Sequence, residues 1–174
     1  SDLRRLVPGI ENRSSLVYNG LEMPSIEPAP LPFAPPVLLC LGRLVDDKGF
    51  DLVIAAMPAL LEEWPELRLI VAGDGPAGPD LKQQARALGV AGAIEFTGWV
   101  QPEAVPEQVN LATLVIVPSR WQEAFGLVAL EAAQMARPIV ATRVGGLPEV
   151  VAHGETGSIV EPEDVEGLAR AVLY

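Results

Sequence analysis

Apolar residues in this chain come in short unbroken runs, separated by stretches where they recur every three or four positions. The runs lie at 37–41, 67–72, 94–97, 114–117, 139–142 and 158–160. They are rich in Val, Ile and Leu and continuous rather than alternating, which predicts strands covered on both faces. The stretches at 49–63, 79–88, 102–110, 126–135, 147–152 and 163–173 predict helices. Strict alternation of the two implies an α/β fold, a Rossmann-like parallel sheet with helices on both faces and right-handed crossovers. Upstream, Leu16-Val17-Tyr18-Asn19-Gly20 predicts a short strand and a turn. Six prolines fall within residues 24–36, which predicts an extended linker or surface loop. The chain therefore divides into a strand, turn and linker segment, 1–36, and a folded domain, 37–174.

Ligands of such sheets bind beyond the C-terminal ends of the strands, so the loops there carry the candidate chemistry. The first is Gly42-Arg43-Leu44-Val45-Asp46-Asp47-Lys48-Gly49. Arg43 offers a fork for phosphate oxygens and Lys48 a point charge, with Gly42 and Gly49 permitting close backbone approach. A local ion pair with Asp46 or Asp47 is the competing reading. The second loop, Gly73-Asp74-Gly75-Pro76-Ala77-Gly78, matches G-x-G-x-x-G, with Glu95 about 20 residues on. Against a dinucleotide loop, Pro76 removes an N–H and Glu95 falls inside its strand. A tight turn into a helix opened by Pro79 competes with it. The third loop, Gly98-Trp99-Val100, offers main-chain groups and a flat ring for a base, or else packs Trp99 into the core.

The fourth loop precedes Glu123-Ala124-Phe125-Gly126-Leu127-Val128-Ala129-Leu130-Glu131. Glu123 is expected in the loop before a helix and Glu131 about two turns inside it. A helix start between two carboxylates suits a ligand with a diphosphate in the middle and a sugar at each end. Paired glutamates are also common on solvated helix faces. The fifth loop, Arg143-Val144-Gly145-Gly146-Leu147-Pro148-Glu149, places two glycines before a helix start.

Composition narrows the choice. The 174 residues suffice for one core, and nearly half are apolar with few aromatics. A net charge of −11 excludes nucleic acid as a partner and makes each cation conspicuous. The single Cys40 lies in the first apolar run and reads as a small buried hydrophobe. With one Cys and one His, His153, neither a zinc site nor a catalytic triad can be assembled, and no metal ligands are expected. No apolar run reaches the ~20 residues that span a bilayer, and no secretory signal is read. The expected compartment is the cytoplasm, with peripheral attachment of a larger protein at the inner membrane face left open. A Ser1 start and a helical pattern running to Tyr174 suggest a piece of such a protein.

Taken in order, the pieces resemble the retaining glycosyltransferases of family 4, with the GT-B fold. They are Tyr18-Asn19-Gly20, Gly42-Arg43-Leu44 with Lys48-Gly49, Gly73-Asp74-Gly75-Pro76, Phe96-Thr97-Gly98, Pro118-Ser119, Glu123 to Glu131, residues 138–142, Gly145-Gly146-Leu147-Pro148-Glu149 and Gly154 to Gly157. The likeness spans nearly everything from residue 16 onward and sets the dinucleotide-loop reading aside. It implies the C-terminal half of a GT-B enzyme, which binds a nucleotide diphosphate sugar and transfers the sugar with retention, without a cofactor or metal.

By the same resemblance, Arg43 and Lys48 neutralise the diphosphate and Glu123 contacts the sugar near its anomeric centre. The backbone of Phe125, Gly126 and Leu127 holds sugar and phosphate. Glu131 binds the ribose, the Trp99 and Val100 main chain reads the base, and the motif glycines Gly42 and Gly75 join the donor site. The acceptor, a sugar, lipid or small molecule, would belong to an N-terminal domain outside this chain, so the domain alone is expected not to turn over. Two departures from the family stand out: that missing half, and Ala136 where relatives carry Gly. A silent nucleotide-sugar-binding module, or a GT-B phosphorylase or epimerase, are the alternatives. A phosphorylase needs a lysine for pyridoxal phosphate, and only Lys48 and Lys82 are present.

Overall fold

A computed structural model describes residues 7, 9, 15, 17, 19–121 and 123–174. Leu16 and Tyr18 of the expected strand lie outside the described residues. Six strands form one parallel sheet: β1 Val37–Leu41, β2 Arg68–Ala72, β3 Ile94–Gly98, β4 Leu114–Val117, β5 Ile139–Thr142 and β6 Gly157–Val160. Their spatial order is β3-β2-β1-β4-β5-β6. The helices between and after them are α1 Phe50–Glu63, α2 Gly78–Ala87, α3 Val105–Asn110, α4 Leu127–Gln134, α5 Leu147–Val150 and α6 Val165–Leu173. Every predicted strand and helix from residue 37 onward is present.

Period-two alternation explains the two cores. Leu38 and Cys40 face α1, α2 and α6 in a layer with Leu69, Val71, Ile54, Met57 and Leu168. Leu39 and Leu41 face the opposite way, toward α3, α4 and α5, with Ile70, Val115, Val117, Ala129 and Leu147. A central strand buried on both faces cannot carry polar positions, hence the unbroken apolar runs. Cys40 is fully buried, and desolvation pushes its thiol far above the ordinary range. It is the inert small hydrophobe its setting predicts.

The winding direction reverses between β1 and β4, which are neighbours in space. A crevice forms where the loops leaving such strands part, and it is the ligand position of doubly wound sheets. Glycines lock the loops around it. A Cβ on Gly73 would strike the Gly42 carbonyl, and one on Gly75 the Leu44 backbone. Leu44 N–H donates to Asp74 O at 2.9 Å and Ala77 N–H to Leu44 O at 3.0 Å. The G-x-G-x-x-G sequence thus serves loop-on-loop packing and a turn into α2, which carries Pro79 in its first turn.

Candidate functional site

The loop after β1 folds into a 3-10 turn, Asp46–Lys48, closed by Gly49 at φ 67° before α1 begins. Gly49 sits so close to the Pro118 carbonyl that a Cβ would strike it. This approach brings Lys48 beside the loop after β4. Its Nζ lies 2.5 Å from Glu123 Oε2, across 75 residues of sequence. The expected competitor, a local pair with Asp46 or Asp47, does not form; the partner is the other candidate residue. Ser119, 1% exposed, donates its hydroxyl to the same Glu123 oxygen at 3.1 Å. Thr142 in turn donates to Ser119 O at 2.6 Å. Glu123 O accepts from Gly146 N–H at 2.8 Å, and Gly145, at φ 52°, leaves no room there for a Cβ. The Glu123 side chain and main chain are thus both fixed from the β1, β4 and β5 loops.

Immediately after Glu123 the chain turns at Gly126, φ 85°, and α4 starts at Leu127. Among the described residues no side chain caps this helix start, so its N-terminal dipole faces the cavity that Gly126 and Leu127 line. Lys48, Ser119, Glu123, Phe125, Gly126 and Leu127 line one cavity of about 260 Å³, together with Asn19 of the upstream motif. Arg43, Gly42, Gly75, Trp99, Val100 and Glu131 do not line it.

Arg43 is exposed at the end of β1 and enters no ion pair among the described residues. Trp99 is 66% exposed, so the core-packing alternative for it is not realised. Glu131 lies four residues after Leu127, closer to the helix start than the two turns expected. It is partly buried, and desolvation raises its carboxyl above the ordinary 4.5. His153 is exposed, its Nδ1 accepting from Ile159 N–H at 3.0 Å, a structural bond between its turn and β6. Among the described residues no three His, Cys, Asp or Glu side chains converge to hold a metal, and no helix is long and apolar enough to cross a membrane.

Residue-by-residue reading missed Arg120 and Asp51. Arg120, three positions past the end of β4, grips Asp51 with both arms of its fork, at 2.5 and 2.6 Å. Its Nε reaches Glu163 at 2.5 Å, and these carboxylates hold the guanidinium charged. The signal was available: a cation just past a strand end, in a chain short of cations, is the argument that singled out Arg43.

Comparison with known proteins agrees with this architecture. The family model described as "Glycosyl transferases group 1" matches residues 35–174. The glycogen synthase of Mycobacterium tuberculosis is 40% identical over 154 residues, 84% of this chain and 37% of that protein. The GDP-mannose-dependent alpha-(1-6)-phosphatidylinositol monomannoside mannosyltransferase of Mycolicibacterium smegmatis is 38% identical over 143 residues, 79% of this chain and 37% of that protein. Anabaena HepE, solved in complex with UDP, superposes with a TM-score of 0.72 at 30% identity, over 79% of this chain and 38% of its own. The chain thus spans little more than a third of the length of these relatives. With the family model covering the whole sheet, and the crevice lined by the motif residues, the chain belongs to the glycosyl transferases group 1 family, as its C-terminal, Rossmann-like domain.

Proposed function

We propose that this domain binds the nucleotide diphosphate sugar of a retaining hexosyltransferase, in the crevice between the β1 and β4 loops. One observation carries the reading: Lys48, Glu123 and the uncapped start of α4 line a single cavity at the reversal of the sheet. A cation and free helix N–H groups suit a diphosphate, and a carboxylate suits sugar hydroxyls. Lys48 and Glu123 are paired with each other. A bound donor would take over both, its phosphate facing Lys48 and its sugar facing Glu123. Arg43, exposed two positions past the end of β1 and in no ion pair among the described residues, is the second cation for the diphosphate. As the sugar leaves, negative charge grows on the diphosphate, so these cations and dipoles act mainly in the transition state. Glu131, one turn along α4, is the ribose ligand, and the Trp99–Val100 main chain meets the base.

The printed names of relatives, one GDP-mannose-dependent and one solved with UDP, support UDP or GDP as the nucleotide. The acceptor, a sugar, lipid or small molecule, belongs to a partner domain, with segment 1–36 as the linker toward it. The larger protein works in polysaccharide, glycolipid or glycoconjugate synthesis on the cytoplasmic side.

Pyrophosphate and nucleoside diphosphates separate these roles. By titration, Arg43→Ala is expected to weaken both pyrophosphate and UDP or GDP by about tenfold, the loss of one charge-assisted contact. Glu131→Ala is expected to weaken only the ribose-containing ligands. If neither variant alters binding, the site assignment is wrong.

A further inference from the structure

Arg120 does not line the cavity, yet it joins the two chain segments that supply the cavity's charged pair. Its fork binds Asp51 through both nitrogens, and the nearer one also donates to Asp46 O at 3.0 Å. Its main-chain N–H donates to Asp47 O at 2.8 Å. Lys48 lies between Asp47 and Asp51, so both flanks of the lysine are held by one residue. Arg120 itself stands three positions before Glu123. The third acid, Glu163, reaches Nε from the turn before α6 and fixes the remaining edge of the guanidinium.

The bonding requires an arginine. Five planar donors serve two carboxylates and a carbonyl at once, which an ammonium cannot do in one geometry. The arrangement also sets one cation between Asp51 and Glu163, offsetting one of their two negative charges in a chain whose net charge is −11.

We propose that Arg120 is a positioning residue: it sets where Lys48 stands against Glu123, and thereby the strength of the contact with the donor's distal phosphate, the one that carries the sugar. The second half rests on the donor-site reading given above. The two lysines of this chain make the first half directly measurable. Acylation of the folded protein compares Lys48, paired with Glu123, with Lys82, which lies over the Phe96 ring at 5.4 Å and takes no part in Arg120's bonds.

In Arg120→Gln the Lys48:Lys82 labelling ratio is expected to rise about threefold to fivefold, the factor by which a partly exposed ion pair protects an amine. Asp51→Asn should give the same rise, and the double variant no more than either. Titration with UDP and UMP then tests the second half. The UDP:UMP affinity ratio should fall about tenfold in Arg120→Gln and in Lys48→Ala alike, whereas general loosening would weaken both nucleotides together. Should Arg120→Gln fail to fold, Arg120→Lys keeps the charge without the fork and is expected to show the same two changes. An unchanged labelling ratio in the folded variants overturns the proposal whatever the nucleotides do. If the unsubstituted chain binds neither nucleotide, the donor-site reading fails, and the labelling ratio alone decides on Arg120.

Discussion

At the scale of single residues, the Lys48–Glu123 pair carries little stability and most of the proposed binding. Both side chains are partly exposed, at 31% and 18%, and such pairs contribute about 0–1 kcal/mol. Lys48→Ala should therefore leave the melting temperature within a few degrees while weakening nucleoside diphosphate binding about tenfold or more. A calorimetric melt and a titration on one sample check both halves.

Glu131 gives a pH signature of opposite kind. Desolvation raises its carboxyl in the folded chain, so the folded state holds this proton more tightly than the unfolded one. Its stabilising contribution is complete below the unfolded value near 4.5 and is lost as pH rises through the raised folded value. Glu131→Gln, which cannot ionise, should be more stable than the parent at neutral pH, with the advantage shrinking toward pH 4. Melting curves from about pH 4 to 8 test this; a difference independent of pH would contradict it. The candidates were visible as residue types in the sequence. Which of them meet was not: that Lys48 pairs with Glu123 rather than Asp46 depends on the close approach of Gly49 to Pro118, 69 positions on.

At the scale of elements, the strands were the most legible because a doubly covered parallel strand has no room for polar residues. The helices were legible except at their ends, where local chemistry decides. The stretch expected as one helix at 102–110 is a 3-10 turn, Pro102–Ala104, followed by α3. Pro106 lacks the N–H that would extend an α-helical ladder back to Pro102. The helix expected from 163 begins at Val165, because Asp164 accepts from Gly167 N–H at 2.7 Å as the N-cap and Glu163 takes a positive φ of 63° outside it.

The end of α4 holds the departure noted in the sequence. Ala136 has φ 53°. Ala136 N–H bonds Ala133 O and Arg137 N–H bonds Ala132 O, the paired bonds of a Schellman ending whose left-handed residue is usually Gly. Ala136→Gly should relieve about 1 kcal/mol of backbone strain, partly offset by the freer unfolded chain, for a net gain of a few tenths to about 1 kcal/mol. Urea unfolding at fixed slope measures it. Gly145→Ala should do the reverse, costing at least about 1 kcal/mol, since φ there is 52° and the Cβ would press on the Glu123 carbonyl. It should also weaken nucleotide binding by moving Glu123.

At the scale of the whole molecule, the proline-rich segment is tied down. A chain poor in N–H groups is best held by its carbonyls, and the domain supplies the donors. Asn110 Nδ2 bonds Glu27 O at 3.0 Å, Arg137 Nη1 bonds Ala29 O at 2.9 Å, and the Thr113 hydroxyl bonds Pro32 O. Arg137 is 3% exposed, and its guanidinium is also shared among Val109, Met135 and Asn110 carbonyls, with desolvation lowering its pKa. Asn110 Oδ1 accepts the one linker N–H in this set, that of Ala29, at 3.0 Å. Asn110→Ala should speed hydrogen exchange at Ala29 well beyond any change in the sheet. Composition predicted an extended linker; its anchoring was illegible because the anchors lie about 80 to 110 positions away.

The central claim is that a nucleoside diphosphate binds between the β1 and β4 loops through Lys48 and the start of α4. Isothermal titration of the chain with UDP, GDP and ADP, repeated on Lys48→Ala, tests it most directly. Heat from one nucleotide, reduced at least about tenfold in affinity by the substitution, is the predicted result. Undiminished binding in Lys48→Ala would place the nucleotide elsewhere and contradict the account.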